Sequence, residues 1–403
     1  MSRSLRPPVA VAVLAAVSSL AAVTTAGAAP GDLTLKSPKQ RATGVPIPVT
    51  GAGADPGQPV AIDRFRSGAW RAVAFARADA QGRFRGRVRT RGRGRRFLLR
   101  ARLGAVTAPT EASARRRVRV RDVRLAAVGD INLGTGSGGG VGDLIRSRGK
   151  RYPWRSVAPV LRRADIAFGN LECVISRRGR PVPKAYTFRG TPGSLRTTRR
   201  YAGFDVLNLA NNHTGDFGRR AMLDTIGFVR RFGMAGPGAG ANLAKAARPR
   251  IVRRLGLRVA FVGFTNILPA SFYATRGRPG SVYASRGAVR RGVRRARRRA
   301  DLVVATFHWG VERSHSPDGT QRSLTRTAFR AGADAVIGAH PHVLQPIRLK
   351  RRRLVAYSLG NFVFHASSPA STRTGILKLR LSRRGVEGAR LRRATIVEGR
   401  PRL

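Results

Sequence analysis

Cysteine is almost absent: Cys173 stands alone in 403 residues. One thiol permits no disulfide within the chain and no cysteine-rich zinc or iron–sulfur site. Aromatic residues amount to 6%, too few for a stacking platform along single-stranded nucleic acid. Acidic residues are scarce as well, 19 against 79 lysines and arginines, which leaves a net charge of +60. Lysine occupies only seven positions, so nearly all of that charge is arginine. The arginines run along the whole chain and form neither one basic tail nor one recognition helix, which argues against a specific nucleic-acid site. Such a surface still attracts phosphate polymers, acidic polysaccharides and anionic headgroups in a salt-dependent way. Hydrophobic residues reach 42%, enough for a packed core and too many for a wholly disordered chain.

Long uncharged apolar runs are missing too, with one exception. Val9 to Val23 consists of Ala, Val and Leu broken only by Ser18 and Ser19. Arg3 and Arg6 precede it, and the small residues Ala26-Gly27-Ala28 follow. That order predicts a secretory signal peptide over residues 1–28, and the run is short for a membrane span of about 20 residues. The expected mature chain is secreted or extracytoplasmic, associated with the cell envelope and soluble or peripherally bound.

Beyond the leader two modules are expected, with a boundary near residue 122. Over 29–122 apolar residues fall on every second position, as in Trp70, Ala72, Ala74 and Phe84, Gly86, Val88. Gly-containing punctuation at Ser67-Gly68, Gln81-Gly82 and Arg91-Gly92-Arg93-Gly94 separates the runs. Short strands joined by turns predict a small β-sandwich. It carries no histidine, so a spacer or adhesive role is favoured over catalysis. It resembles the Ig-like accessory domains of bacterial exported proteins.

From Val123 to Leu403 continuous apolar runs of strand length alternate with helix-compatible stretches. They include Leu125–Val128, Ile166–Phe168, Val206–Leu209, Val259–Val262, Leu302–Ala305 and Ala335–Ile337. Strands buried on both faces imply a layered α/β fold. A helix with Val289, Val293, Ala296 and Ala300 on one stripe is expected to face a sheet, its arginines 290, 291, 294, 295 and 297–299 facing water.

Chemistry gathers just past these runs. Gly129-Asp130 follows one, Asn170-Leu171-Glu172 another, and Asn211-Asn212-His213 a third. His308-Trp309-Gly310, His340-Pro341-His342 and Leu359-Gly360-Asn361 follow others. Ligands of open α/β sheets bind beyond the carboxyl ends of the strands, so four of the six histidines are expected to converge there. Imidazoles with carboxylates and amide oxygens suit Mn, Fe or Zn, and Glu172 is placed to bridge two ions. Gly236-Pro237-Gly238-Ala239-Gly240 lacks the spacing of a dinucleotide loop and is expected to form a turn. His315 with Ser314, Ser316 and Asp318 reads as a polar loop, and Lys184 and Arg189 around Tyr186 as a surface loop.

Taken in order, these motifs resemble the bacterial CapA family of poly-γ-glutamate capsule synthesis proteins over roughly residues 123–380. The motifs are Gly129-Asp130, Asn170-Leu171-Glu172, Ala210–His213 with Asp216, His308–Gly310 with Glu312, Gly338–His342 and Tyr357–Phe362. The resemblance implies a four-layer, metallophosphoesterase-like α/β sandwich: two mixed sheets flanked by helices, here preceded by the small all-β domain. It makes Asp130, Glu172, Asn212, His308, His340 and His342 ligands for one or two divalent ions. It makes His213, with Asp216, the proton-transfer pair, and leaves Asn132, Asn170, Glu312 and Asn361 facing substrate. Two positions depart from the phosphoesterase pattern: Asn132 where a histidine is usual, and Asn170-Leu171-Glu172 in place of an aspartate motif. The partners implied are an anionic envelope polymer or phosphoester and membrane-bound polymer-synthesis subunits, with no specific nucleic acid. A non-catalytic polyanion-binding assembly factor is the alternative.

Overall fold

Ser67 and Gly68 both adopt positive φ, 50° and 77°, the backbone of a two-residue type I′ hairpin turn, and they join the strands Pro59–Arg66 and Ala69–Arg77. The computed structural model describes residues 32–90, 95–136, 140–267, 269–366 and 368–403. The leader expected over 1–28 and the Arg91–Gly94 turn lie outside the described residues. The hairpin belongs to a six-stranded sheet, and the pair Ile47–Gly51 and Phe84–Val88 forms a second sheet. Ile47, Val49 and Phe84 share one core with Ile62, Phe97, Leu99 and Val118, so the two sheets pack face to face. Inside it Asp63 is held by Arg102 at 2.8 Å and Arg100 at 3.2 Å. The strand Arg116–Arg121 ends this unit's chain, and Val123–Ile131 opens the next sheet.

The remaining chain is a mixed α/β structure. One seven-stranded sheet sets Val206–Asn208, Ile166–Leu171 and Val123–Ile131 parallel to one another. The antiparallel strands Arg373–Ser382, Gly385–Val397 and Arg400–Arg402 then continue it. Asn361–Val363 pairs with the far end of Val123–Ile131. A six-stranded sheet has Leu257–Thr265, Leu302–His308, Ala335–Ala339 and Arg353–Ala356 as its parallel centre. Side chains from both sheets, Ala127, Phe168, Phe261, Val304 and Ile337 among them, fill one shared core, where the Phe168 and Phe261 rings stack at 5.9 Å. Separate cores lie on the outer faces, under helices such as Gly218–Arg231 on one side and Arg286–Arg297 and Gly319–Ala331 on the other. The order of layers is therefore helix, sheet, sheet, helix. Among the described residues no helix is long and apolar enough to cross a membrane.

The expected helix runs Arg286–Arg297, with Val289, Val293 and Ala296 buried, and Ala300 is buried just beyond its end. Arg297 departs from the expectation. It turns inward, donating to the Asp301 carbonyl at 2.6 Å and the Gly332 carbonyl at 2.7 Å, and it meets the Asp334 carboxylate. Gly236–Gly240 is a connection whose last two residues pair with Gly280–Ser281. Asp318 caps the Gly319–Ala331 helix in a box with Gln321.

Candidate functional site

The apolar runs understate the strands. Backbone pairing continues through Asp130, Asn170 and His308, which are among the last residues of their strands, and His340 follows Ala335–Ala339 at once. Asn170 stands in register beside Asp130. A Cβ at Gly129 would lie 1.8 Å from the Gly360 carbonyl oxygen, so only glycine admits the Asn361 loop here. That contact lets the Asp130 N–H donate to Gly360 at 2.9 Å.

Asp130 and Glu172 are fully buried. Asp130 accepts the Asn170 amide at 2.8 Å on Oδ1 and the His340 N–H at 3.2 Å on Oδ2, which also lies 3.5 Å from His342 Nδ1. Neither oxygen of Glu172 has an N–H or hydroxyl donor among the described residues. Its Oε1 instead faces ring nitrogens of His308, His342 and His213 at 3.4, 3.9 and 4.0 Å. Burial, and then the Asp130 charge, hold the Glu172 carboxyl well above its ordinary range. Burial also pushes His308 well down and His340 to about 3, each helped by neighbouring imidazoles. The His308 and His340 rings are 4.7 Å apart, and those of His340 and His342 5.8 Å. His340 and His342 have φ of 96° and 58°, left-handed backbone that the surrounding contacts must enforce.

The residues fit a divalent cation. Glu172, His340 and His342 each offer a ligand atom within 4.8 Å of the others, and so do Asp130, Glu172 and His308. Glu172 belongs to both groups. Among the described residues the Glu172 oxygens and the His340 Nδ1 have no hydrogen-bond partner, and the imidazoles of His308 and His340, pushed down by burial, keep a lone pair for a metal. The Asn212 oxygen lies 2.8 Å from His308 Nε2, and the Asn361 oxygen 2.8 Å from His342 Nδ1. The Asn361 contact leaves His342 Nε2 on the Glu172 side. Cys173, beside Glu172, is no ligand candidate: burial pushes its thiol up to about 12, and its sulfur accepts the Leu133 N–H.

His213 Nδ1 lies 2.7 Å from Asp216 Oδ2, which leaves Nε2 turned toward Glu172. Asp216 also accepts Lys184 Nζ and the Phe188 N–H, both at 2.8 Å. Lys184 corrects the surface-loop expectation. Tyr186 is exposed, but Lys184 reaches inward to Asp216 and to the Asn212 carbonyl at 2.6 Å, because a buried carboxylate needs a counter-charge. Arg189 is not part of this group and packs its guanidinium over the Phe217 ring at 3.8 Å. Asn208 and Asn211, for which no role was expected, also contribute. Asn208 donates to the Asn170 oxygen at 2.8 Å, and Asn211 donates to Leu171 and accepts from the His213 N–H.

Of the expected substrate-facing residues, Asn170 is spent between Asp130 and the His308 ring, and Asn361 on His342. Asn132 is buried and accepts the Gly134 N–H. Glu312 is exposed and reaches the cluster only through its charge, which adds to the rise at Glu172. His315 and His365 are exposed outside the cluster.

Fold and site together define a four-layer α/β protein with a buried carboxylate–histidine cluster able to hold a divalent cation. Residues 124–366 match the family described as bacterial capsule synthesis protein PGA_cap, and the chain belongs to that family. It is 31% identical over 286 residues to the capsule biosynthesis protein CapA of Bacillus anthracis, spanning 69% of this chain and 68% of that one. It is likewise 31% identical over 261 residues to the PGA biosynthesis protein CapA of Bacillus subtilis, spanning 64% and 67%. A probable polyglutamine synthesis accessory protein of Mycobacterium tuberculosis is 28% identical over 228 residues, 53% of this chain and 60% of that one. Among solved structures, a purple acid phosphatase from yellow lupin aligns over 92% of this chain and 72% of its own. The TM-score there is 0.31 at 10% identity, too low to bear on function.

Proposed function

We propose that this chain acts in the synthesis of a capsule-type polyglutamate or a related anionic envelope polymer, through a metal-dependent hydrolytic site of metallophosphoesterase type. The names of its relatives support the pathway. The site rests on one observation: Glu172, fully buried and without a hydrogen-bond donor among the described residues, faces ring nitrogens of His308, His342 and His213 and belongs to both ligand groups. Asp130, Glu172, Asn212, His308, His340 and His342 are the residues to hold one or two ions, of Mn, Fe or Zn type. When bound, such ions supply Lewis-acid polarisation of a phosphoryl or carboxyl oxygen.

The protein's own groups then do the rest. Asp216 holds His213 by Nδ1, so Nε2 is the atom that exchanges a proton with a leaving oxygen. Lys184 and the Phe188 N–H keep Asp216 in place. The reading includes export by the residue 1–28 leader, an extracytoplasmic location, an Ig-like spacer over 29–122 and membrane-bound synthesis subunits as partners.

Elemental analysis after reconstitution with Mn, Fe or Zn, followed by a panel of phosphoesters, tests it. Stoichiometric metal is expected. His213→Ala should lower turnover by about 10²- to 10⁴-fold with metal retained, and Asn212→Ala should weaken both. Unchanged turnover or polymer output in both variants, with polymer binding intact, would overturn the hydrolytic reading in favour of a non-catalytic assembly factor.

A further inference from the structure

On the outer face of the seven-stranded sheet, cations stand opposite cations. Arg124 pairs in register with Arg380, and Lys378 with Arg390, across antiparallel strands. Like charges directly opposite weaken a sheet, so folding alone gives no reason for them. Arg163, just past the Ala158–Arg162 helix, forms part of the wall of the same groove of about 490 Å³, and Ala126, Val160 and Ala389 line it. The neighbouring carboxylate, Asp165, is shared: it bonds Arg121 at 2.6 and 2.7 Å, accepts the Arg124 N–H at 2.7 Å and lies 3.7 Å from the Arg124 guanidinium. Arg380 donates to the Glu387 carbonyl at 3.3 Å. Burial, and then Arg392, Arg390 and Arg163, press the Lys378 ammonium below its ordinary range, as expected where cations crowd together.

The spacing suits one kind of occupant. Lys378 and Arg380 repeat along their strand at about 6.7 Å, the two-residue period at which an extended α-linked polypeptide presents side chains on one face. Methylene stems on such a chain match the apolar lining, and its carboxylates match the walls.

We propose that this groove binds an extended acidic polypeptide, with carboxylates seated on Arg124, Lys378, Arg380 and Arg390. The groove begins about 13 Å along the strand from Asp130, four residues from Ala126, so it is a holding surface separate from the metal-ligand cluster. The proposal deepens the polymer reading above and rests on it only in choosing carboxylate over phosphate.

The test is fluorescence anisotropy of a labelled α-linked glutamate homopolymer with the full chain at physiological salt. Lys378→Gln, Arg380→Gln and Arg390→Gln together should weaken binding about tenfold or more. Arg290→Gln, Arg291→Gln and Arg294→Gln, which remove the same charge from an exposed helix face, should weaken it less than about twofold. The groove triple should melt no lower than the parent, since it removes opposed cations; should it fail to fold, Lys378→Gln alone should still cost about threefold. Equal losses in both triples, no loss in the groove variants, or groove-dependent binding of phosphatidylglycerol vesicles without glutamate binding would each overturn the proposal. Asn212→Ala should keep homopolymer binding, so failure of the metal site and failure of the groove give different results.

Discussion

Replacing Glu172 by methionine puts the central argument to a thermodynamic test. In metal-free protein the Glu172 side chain brings two buried oxygens, without a hydrogen-bond donor among the described residues, close to another buried carboxyl, Asp130. A buried unsatisfied polar group costs about 1–3 kcal/mol, and a volume-conserving apolar swap costs under about 1.5 kcal/mol. Glu172→Met should therefore stabilise the metal-free protein by about 1–2 kcal/mol. The sign with pH follows from the raised carboxyl. Between the ordinary carboxylate value and its raised folded one, native Glu172 holds a proton that the unfolded chain has lost, so parent stability falls as pH climbs through that window. The advantage of methionine should be smallest near pH 4 and larger near pH 8. Metal reverses the ranking: at a thousandfold excess over Kd, binding adds about 4 kcal/mol to the parent alone. Urea denaturation in chelator and in saturating Zn or Mn, each at both pH values, reads all four comparisons. A variant less stable than the parent without metal, or metal stabilising both chains alike, would refute the reasoning.

Asp216→Asn removes the carboxylate that fixes His213 Nδ1, and turnover should fall at least about 10²-fold while bound metal measured by elemental analysis stays constant. His340→Gly and His340→Ala both delete one imidazole, but only alanine places a Cβ at φ 96°. The glycine variant should be more stable by about 1 kcal/mol in thermal melts, the reverse of the usual order, with metal affinity reduced in both. Asp63→Ala leaves the nearly buried Arg102 without its partner, which should cost about 3–5 kcal/mol in denaturant unfolding of the amino-terminal unit while metal content is unchanged.

Much of this was legible in the order of residues. Runs such as Leu125–Val128 and Leu302–Ala305 announce strands buried on both faces, and polar residues just past them mark the rim. Their ends were less legible, because strand pairing uses backbone groups and does not stop where apolar side chains do; Asp130 and His308 remain in register beyond the runs. Lys184 was misread because nothing in its polar neighbourhood shows that a buried carboxylate 32 residues away will draw it inward. Arg297 was misread for the same reason, its partner Asp334 lying 37 residues on.

Local periodicity and composition, which depend only on neighbours along the chain, thus determined the element types, the charge, the lone thiol and the candidate ligands. Which strands pair, the meeting of Asp130, Glu172 and four histidines at one rim, and the facing of Lys378 with Arg390 were decided only by tertiary structure. These are contacts between residues far apart in sequence, and their energies come from burial and register that no single segment contains.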